Sequence, residues 1–139
     1  MDILVLIGRI AFSVLFFVSA YGHFAKRTMM SGYAASKGVP AAGLMVPLTG
    51  VLLAVGAAMV AVGIWPDLGA LLLLVFLLPT AVMIHGFWRE TDPASRSAEQ
   101  TAFLKDLALA GAALVMFALF AYLGDNLGLV VVGPLFSLS

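Results

Sequence analysis

Four apolar stretches of about 20 residues dominate this chain: Ile3 to Phe24, Leu44 to Ile64, Leu68 to Trp88 and Phe103 to Leu123. A helix needs roughly 20 residues to cross the hydrocarbon of a bilayer, and each stretch meets that length. In hydrocarbon the backbone must satisfy its own hydrogen bonds, so each stretch is read as a helix. Trp65-Pro66-Asp67 is too short a connection for anything but antiparallel neighbours. The expectation is an all-α membrane protein, a four-helix transmembrane bundle forming one domain over residues 1–139.

Composition agrees. Hydrophobic residues make up 63% of the 139 and charged residues 10%, against roughly 25% charged in a soluble domain. Lipid is therefore the expected solvent. The formal net charge of zero argues against a nucleic-acid partner. The absence of cysteine removes disulfides, thiol chemistry, iron–sulfur ligation and thiolate zinc sites. Asp2 and Arg9 break the pattern of a cleaved signal, so the first span is expected to stay in the mature protein.

The loops carry the topology. Lys26, Arg27 and Lys37 lie between the first and second spans, and Arg89, Arg96 and Lys105 between the third and fourth. The positive-inside rule places both long loops in the cytoplasm and both termini outside. Met29, Met30, Tyr33 and Ala34 recur at helical spacing within the first loop. A short interfacial helix is expected there, ended by Gly38-Val39-Pro40. In the second loop, Asp92-Pro93 and the Ser/Ala run after it suggest a turn and a docking surface, with Glu90, Asp92 and Glu99 read as a solvated face.

The second span is rich in small residues. Ala54, Ala58, Ala57 and Ala61 stand four apart and let backbones approach closely, within the bundle in preference to a dimer interface. Pro79 is expected to kink the third span. The apolar tail after Leu123 is too short to span again and should fold against the outer face.

Few residues are able to carry chemistry. Arg9 lies inside the first span, where an unpaired charge costs several kcal/mol. It either has a role in the bundle, with Asp67 or Asp125 as partner, or snorkels to the outer headgroups. Arg9, Ser13, Phe16, Ala20 and His23 share one helical face, which should turn toward the bundle. His23 then lies near the level of His85, Trp88, Lys105 and Asp106, with Tyr21 nearby. Three readings compete for this cluster. One is an interfacial belt of anchoring residues. The second is a site for a quinone or other amphiphile, with a histidine bonding a carbonyl and Trp88 packing on the ring. The third and weakest is bis-histidine haem ligation. No metal-ligand spacing, phosphate-binding loop or nucleophile elbow is present.

At these residues the sequence resembles the DoxX family of small four-helix bacterial membrane proteins. The resemblance runs through Arg9, Tyr21-Gly22-His23-Phe24, Gly38-Val39-Pro40, His85-Gly86-Phe87-Trp88, Phe103 to Gly111 and Gly133-Pro134-Leu135-Phe136-Ser137-Leu138. Two positions depart from it: Asp106, where asparagine is the commoner residue, and His23, where lysine is as frequent. The resemblance implies a bacterial plasma-membrane protein working beside redox machinery, since members are tied to quinol-linked thiosulfate oxidation and to complexes handling oxidative stress. Two functions follow as expectations. One is a non-catalytic subunit, embedded in lipid, that anchors or bridges a larger redox-linked membrane complex. The alternative is a quinone-reactive oxidoreductase subunit using Arg9, His23, His85, Trp88, Lys105 and Asp106. Transport of a small solute ranks below both, because no internal repeat or broken helix favours it.

Overall fold

A computed structural model describes residues 1–138 and contains five α-helices: α1 (Asp2–Ala25), α2 (Arg27–Ser36), α3 (Ala42–Val62), α4 (Pro66–Met83) and α5 (Pro93–Leu123). Four of them are long and apolar enough to cross a membrane. The short α2 forms in the loop between the first two spans, where a helix is expected, and ends where Gly38 takes a left-handed φ of 86°. Neighbours pack in the order α1–α3–α4–α5, with α2 against α3.

The core sits between the helices, and lipid-facing side chains cover the outside. Phe16, Leu53, Val60, Leu73 and Leu77 are buried, while Leu4, Val18, Leu44, Val75 and Val115 are exposed. Helices α3 and α4 approach closely at two glycines. A Cβ on Gly56 would lie 3.2 Å from the Gly69 carbonyl oxygen, and one on Gly69 would lie 2.9 Å from that of Gly56. The small residues of α3 therefore do serve packing within the bundle, where dispersion replaces the hydrophobic effect.

Two boundaries differ from expectation. The third span stops at Met83, and a three-residue 3₁₀ turn (Phe87–Arg89) follows. The fourth begins ten residues early, at Pro93. Asp92 caps it by accepting the Ser95 N–H at 2.9 Å, with Pro93 in the first turn, where a missing N–H costs nothing. The Ser/Ala run is thus helix rather than turn. At 31 residues α5 is about 46 Å long, so its first turns extend past a hydrocarbon core of about 30 Å.

The bundle has two unlike ends. At one, the loop end, α2 and the α4–α5 connection gather. At the other, the tail end, residues 127–138 fold back over the α3–α4 turn. Val131 and Val132 N–H groups donate to the Gly63 carbonyl, both at 2.9 Å, and Trp65 N–H donates to Val132 at 3.2 Å.

Candidate functional site

Helix α1 supplies a polar stripe that runs the length of the bundle. Its buried residues are Arg9, Ser13, Phe16, Ala20 and His23, the face expected from spacing. The stripe joins two separate places, because Arg9 is at the tail end and His23 at the loop end.

Arg9 is 1% exposed, so it does not snorkel. Neither Asp67 nor Asp125 is its partner. Its guanidinium donates to the Val60 carbonyl from Nε at 2.8 Å, to Ala61 from one terminal nitrogen at 3.0 Å and to Leu129 from the other at 2.9 Å. Val60 and Ala61 are in the last turn of α3, whose final carbonyls lack helical donors and carry the negative end of the helix dipole. Arg9 is thus a C-cap for α3 supplied by α1. Gly63 is required beside it, since a Cβ there would come within 2.6 Å of the guanidinium. Asp67 plays the mirror role. It is fully buried and accepts the N–H groups of Leu135 and Phe136 at 2.9 and 2.7 Å, which pins the tail to the start of α4.

The loop end encloses a cavity of about 510 Å³. His23, His85, Lys105 and Asp106 all line it. The rest of its wall is mostly apolar: Leu15 and Phe16 from α1, Met29 and Met30 from α2, Val46 from α3, Phe76 and Leu77 from α4 and Leu109 from α5. Arg9 is absent from this wall. Trp88 is half exposed and stacks edge-on with Phe87 and Phe103 instead, at centroid distances of 5.3 and 5.6 Å. Tyr21 points outward, 74% exposed. Among the described residues, no group of three or more potential metal ligands gathers.

His23 Nδ1 lies 2.9 Å from the Val46 carbonyl, to which it donates, and 3.1 Å from the Thr49 hydroxyl. His85 sits just past the end of α4, where the chain leaves the helix at Gly86. Its Nδ1 donates to Glu99 at 2.7 Å, and its Nε2 faces Asp106 at 3.7 Å. Lys105 reaches the other Asp106 oxygen at 3.6 Å. Each histidine therefore spends Nδ1 on the protein and keeps Nε2 as the nitrogen able to serve a ligand.

Glu99 and its partners escape the sequence reading. Glu99 is not part of a solvated face: its side chain is 16% exposed and it also accepts the Tyr33 hydroxyl at 2.6 Å. Lys37 stands 3.6 Å from Glu99 and 2.6 Å from Glu90. The hydrogen bond to Glu90 holds the Lys37 ammonium above the ordinary lysine value. Burial, then the bond to Glu99, raises the Tyr33 phenol. One signal is available in the sequence. Glu99 and Asp106 stand seven apart, so a helix starting at Pro93 places both on one face.

The DoxX family model matches residues 4–86, well over half of the chain. The chain belongs to the DoxX family. No curated protein and no solved structure gives a significant match. The matched part covers α1 to α4 and ends just after His85, so it holds Arg9, His23 and His85. The DoxX match does not extend to α5, which brings Glu99, Lys105 and Asp106 to the cavity.

Proposed function

We propose that this DoxX-type membrane protein binds a small amphiphile of the quinone class in the loop-end cavity. The supporting observation is the cavity itself. Its volume of about 510 Å³ falls within the roughly 300–1,000 Å³ of small-molecule sites, and it pairs apolar walls with a few polar groups. A quinone presents a flat apolar ring with carbonyl oxygens that accept hydrogen bonds. Lys105 is the donor that would hold an oxygen of the quinone, Nε2 of His85 and of His23 would accept the hydroxyls of the reduced quinol form, and the methionine, phenylalanine and leucine side chains would hold the ring. When bound, a quinone supplies two-electron, two-proton chemistry. The chain's own part is to orient the headgroup, keep water from it and hold a proton near His85 and Asp106.

The setting we propose is the bacterial plasma membrane, with the loop end cytoplasmic. Six of the seven basic residues (Lys26, Arg27, Lys37, Arg89, Arg96 and Lys105) belong to that end, as the positive-inside rule requires.

Equilibrium binding of ubiquinol-1 and ubiquinone-1 to the protein in lipid nanodiscs tests the reading. Saturable binding with one site per chain is expected, lost in His85→Ala while helical content stays the same. Partition no greater than into empty nanodiscs would exclude it. A second reading, a subunit that anchors a larger redox-linked complex, draws support from the exposed first turns of α5, Pro93 to Ala98. Purification from native membranes in mild detergent should then bring down partners in fixed stoichiometry, and a lone bundle would exclude that role.

A further inference from the structure

His23, His85, Lys105 and Asp106 on the cavity wall do not explain why Glu99, seven residues before Asp106 on α5, is so fully engaged. Its two oxygens serve different helices. Oε1 takes the Tyr33 hydroxyl of α2 at 2.6 Å, and Oε2 takes Nδ1–H of His85 at 2.7 Å. A carboxylate accepts and cannot donate, so His85 must carry its proton on Nδ1. That choice directs the ring's other nitrogen, Nε2, toward Asp106 Oδ2 at 3.7 Å, on the cavity wall.

We propose that Glu99 is a positioning residue for the cavity: it fixes His85 with Nδ1 protonated, so that Nε2, beside Asp106, is left bare to accept the hydroxyl of a reduced, quinol-type headgroup, and it ties α2 to the same unit through Tyr33. The inference rests on the quinone-class reading only for the identity of the ligand. The orientation of His85 stands on the geometry.

Several charged and titratable groups face this unit. Tyr33 and Lys37 come from α2, Glu90 from the connection after the 3₁₀ turn, and Lys105 and Asp106 from α5. His23, from α1, lines the same cavity. Among the described residues, only Glu99 bonds both to His85 and to a side chain of another helix. Carboxylate–histidine pairs are a general device for choosing a tautomer, since the partner of one ring nitrogen decides the state of the other. In the ordinary neutral imidazole in water the proton prefers Nε2. The Glu99 contact is what reverses that preference here.

The chain has two histidines, so ¹⁵N-histidine spectra in nanodiscs resolve them, with His85→Gln assigning the signals. In the native protein the His85 Nδ1 signal should be that of a protonated, strongly bonded nitrogen. Glu99→Leu should move the proton to Nε2, which then no longer accepts, and weaken ubiquinol-1 binding by about tenfold or more, the loss of one well-placed hydrogen bond from the headgroup hydroxyl. Glu99→Gln keeps an acceptor oxygen and should restore both the tautomer and most of the affinity. It also serves as the test if the leucine variant does not fold. Tyr33→Phe should leave the His85 tautomer unchanged.

An unaltered His85 spectrum in Glu99→Leu would overturn the proposal. So would a normal spectrum in Glu99→Gln accompanied by the full loss of binding, because orientation would then not be what Glu99 contributes. A native protein with the expected spectrum and no binding of ubiquinol-1 or ubiquinone-1 would overturn the quinone-class reading alone and support the positioning of His85.

Discussion

The two ends of this bundle handle buried polar groups in opposite ways. At the tail end, the charged side chains bond to backbone. Arg9 takes carbonyls from α3 and the tail, and Asp67 takes two N–H groups from the tail. At the loop end, the charged groups bond mostly to one another: His85 to Glu99, Lys37 to Glu90, with Asp106 close to both His85 and Lys105. Backbone groups have fixed positions and no alternative partners, so the first arrangement closes and stiffens. Side-chain pairs can rearrange around a guest, and it is at this end that the cavity lies. The same kinds of residue therefore make a clasp at one end and a receptive site at the other.

The comparison would break most clearly at Arg9. Arg9→Met keeps the bulk and orphans three carbonyls, each buried unpaired acceptor costing about 1–3 kcal/mol, so a loss on the order of 3 kcal/mol or more is expected. Reversible unfolding in mixed micelles would measure it. Ubiquinone-1 affinity of the folded fraction should stay within about twofold, a difference well under the 1.4 kcal/mol of a tenfold change. A stable Arg9→Met protein that no longer binds would reverse the roles assigned to the two ends.

Asp67→Asn should follow at about 2 kcal/mol, since an amide oxygen replaces a charged acceptor for two N–H groups. Limited proteolysis after Leu123 should quicken in parallel. His85→Ala should show the converse pattern. Ubiquinol-1 binding should fall about tenfold or more, for a change in unfolding free energy of about 1 kcal/mol or less. Destabilisation as large as that of Arg9→Met would mean that the loop end is a clasp as well.

The smallest effect concerns pH. Lys37 is held above its ordinary value of 10.5 by the hydrogen bond to Glu90. A folded value raised above the unfolded one means the contribution is complete below pH 10.5 and disappears as pH climbs through the raised value. The pair is partly solvated, so the change should be less than about 1 kcal/mol. Tryptic cleavage at Lys37 and Arg27 should speed up in that alkaline range in the native protein, and not in Lys37→Met with cleavage followed at Arg27.

The cavity is partly legible in the sequence because periodicity reports which residues share a helix face. A seven-residue step on α1 puts His23 on the buried stripe, and His85 and Lys105 follow from the ends of their spans. The same reasoning groups Arg9 with them, since a stripe does not reveal that its two ends are more than about 20 Å apart along a helix, at about 1.5 Å per residue. Trp88 joins the group for its level in the membrane, whereas its ring packs on Phe87 and Phe103. The polar run from Arg89 to Gln100 has the composition of a loop, which would leave Glu99 solvated. The cap at Asp92 turns that run into helix, and helix turns Glu99 inward.

What the amino-acid sequence determined by itself is the number of spans, the short interfacial helix and the buried face of α1. Those follow from hydropathy, length and helical period, which are properties of local chain segments in lipid. What only the tertiary structure decided is who meets whom. The pairing of Arg9 with the carbonyl end of α3, of Asp67 with the tail, and of Glu99 with both Tyr33 and His85 joins residues 14 to 120 positions apart. No local rule fixes such partners, because each is chosen by how the helices pack and by the requirement that every polar group buried between them find a bond.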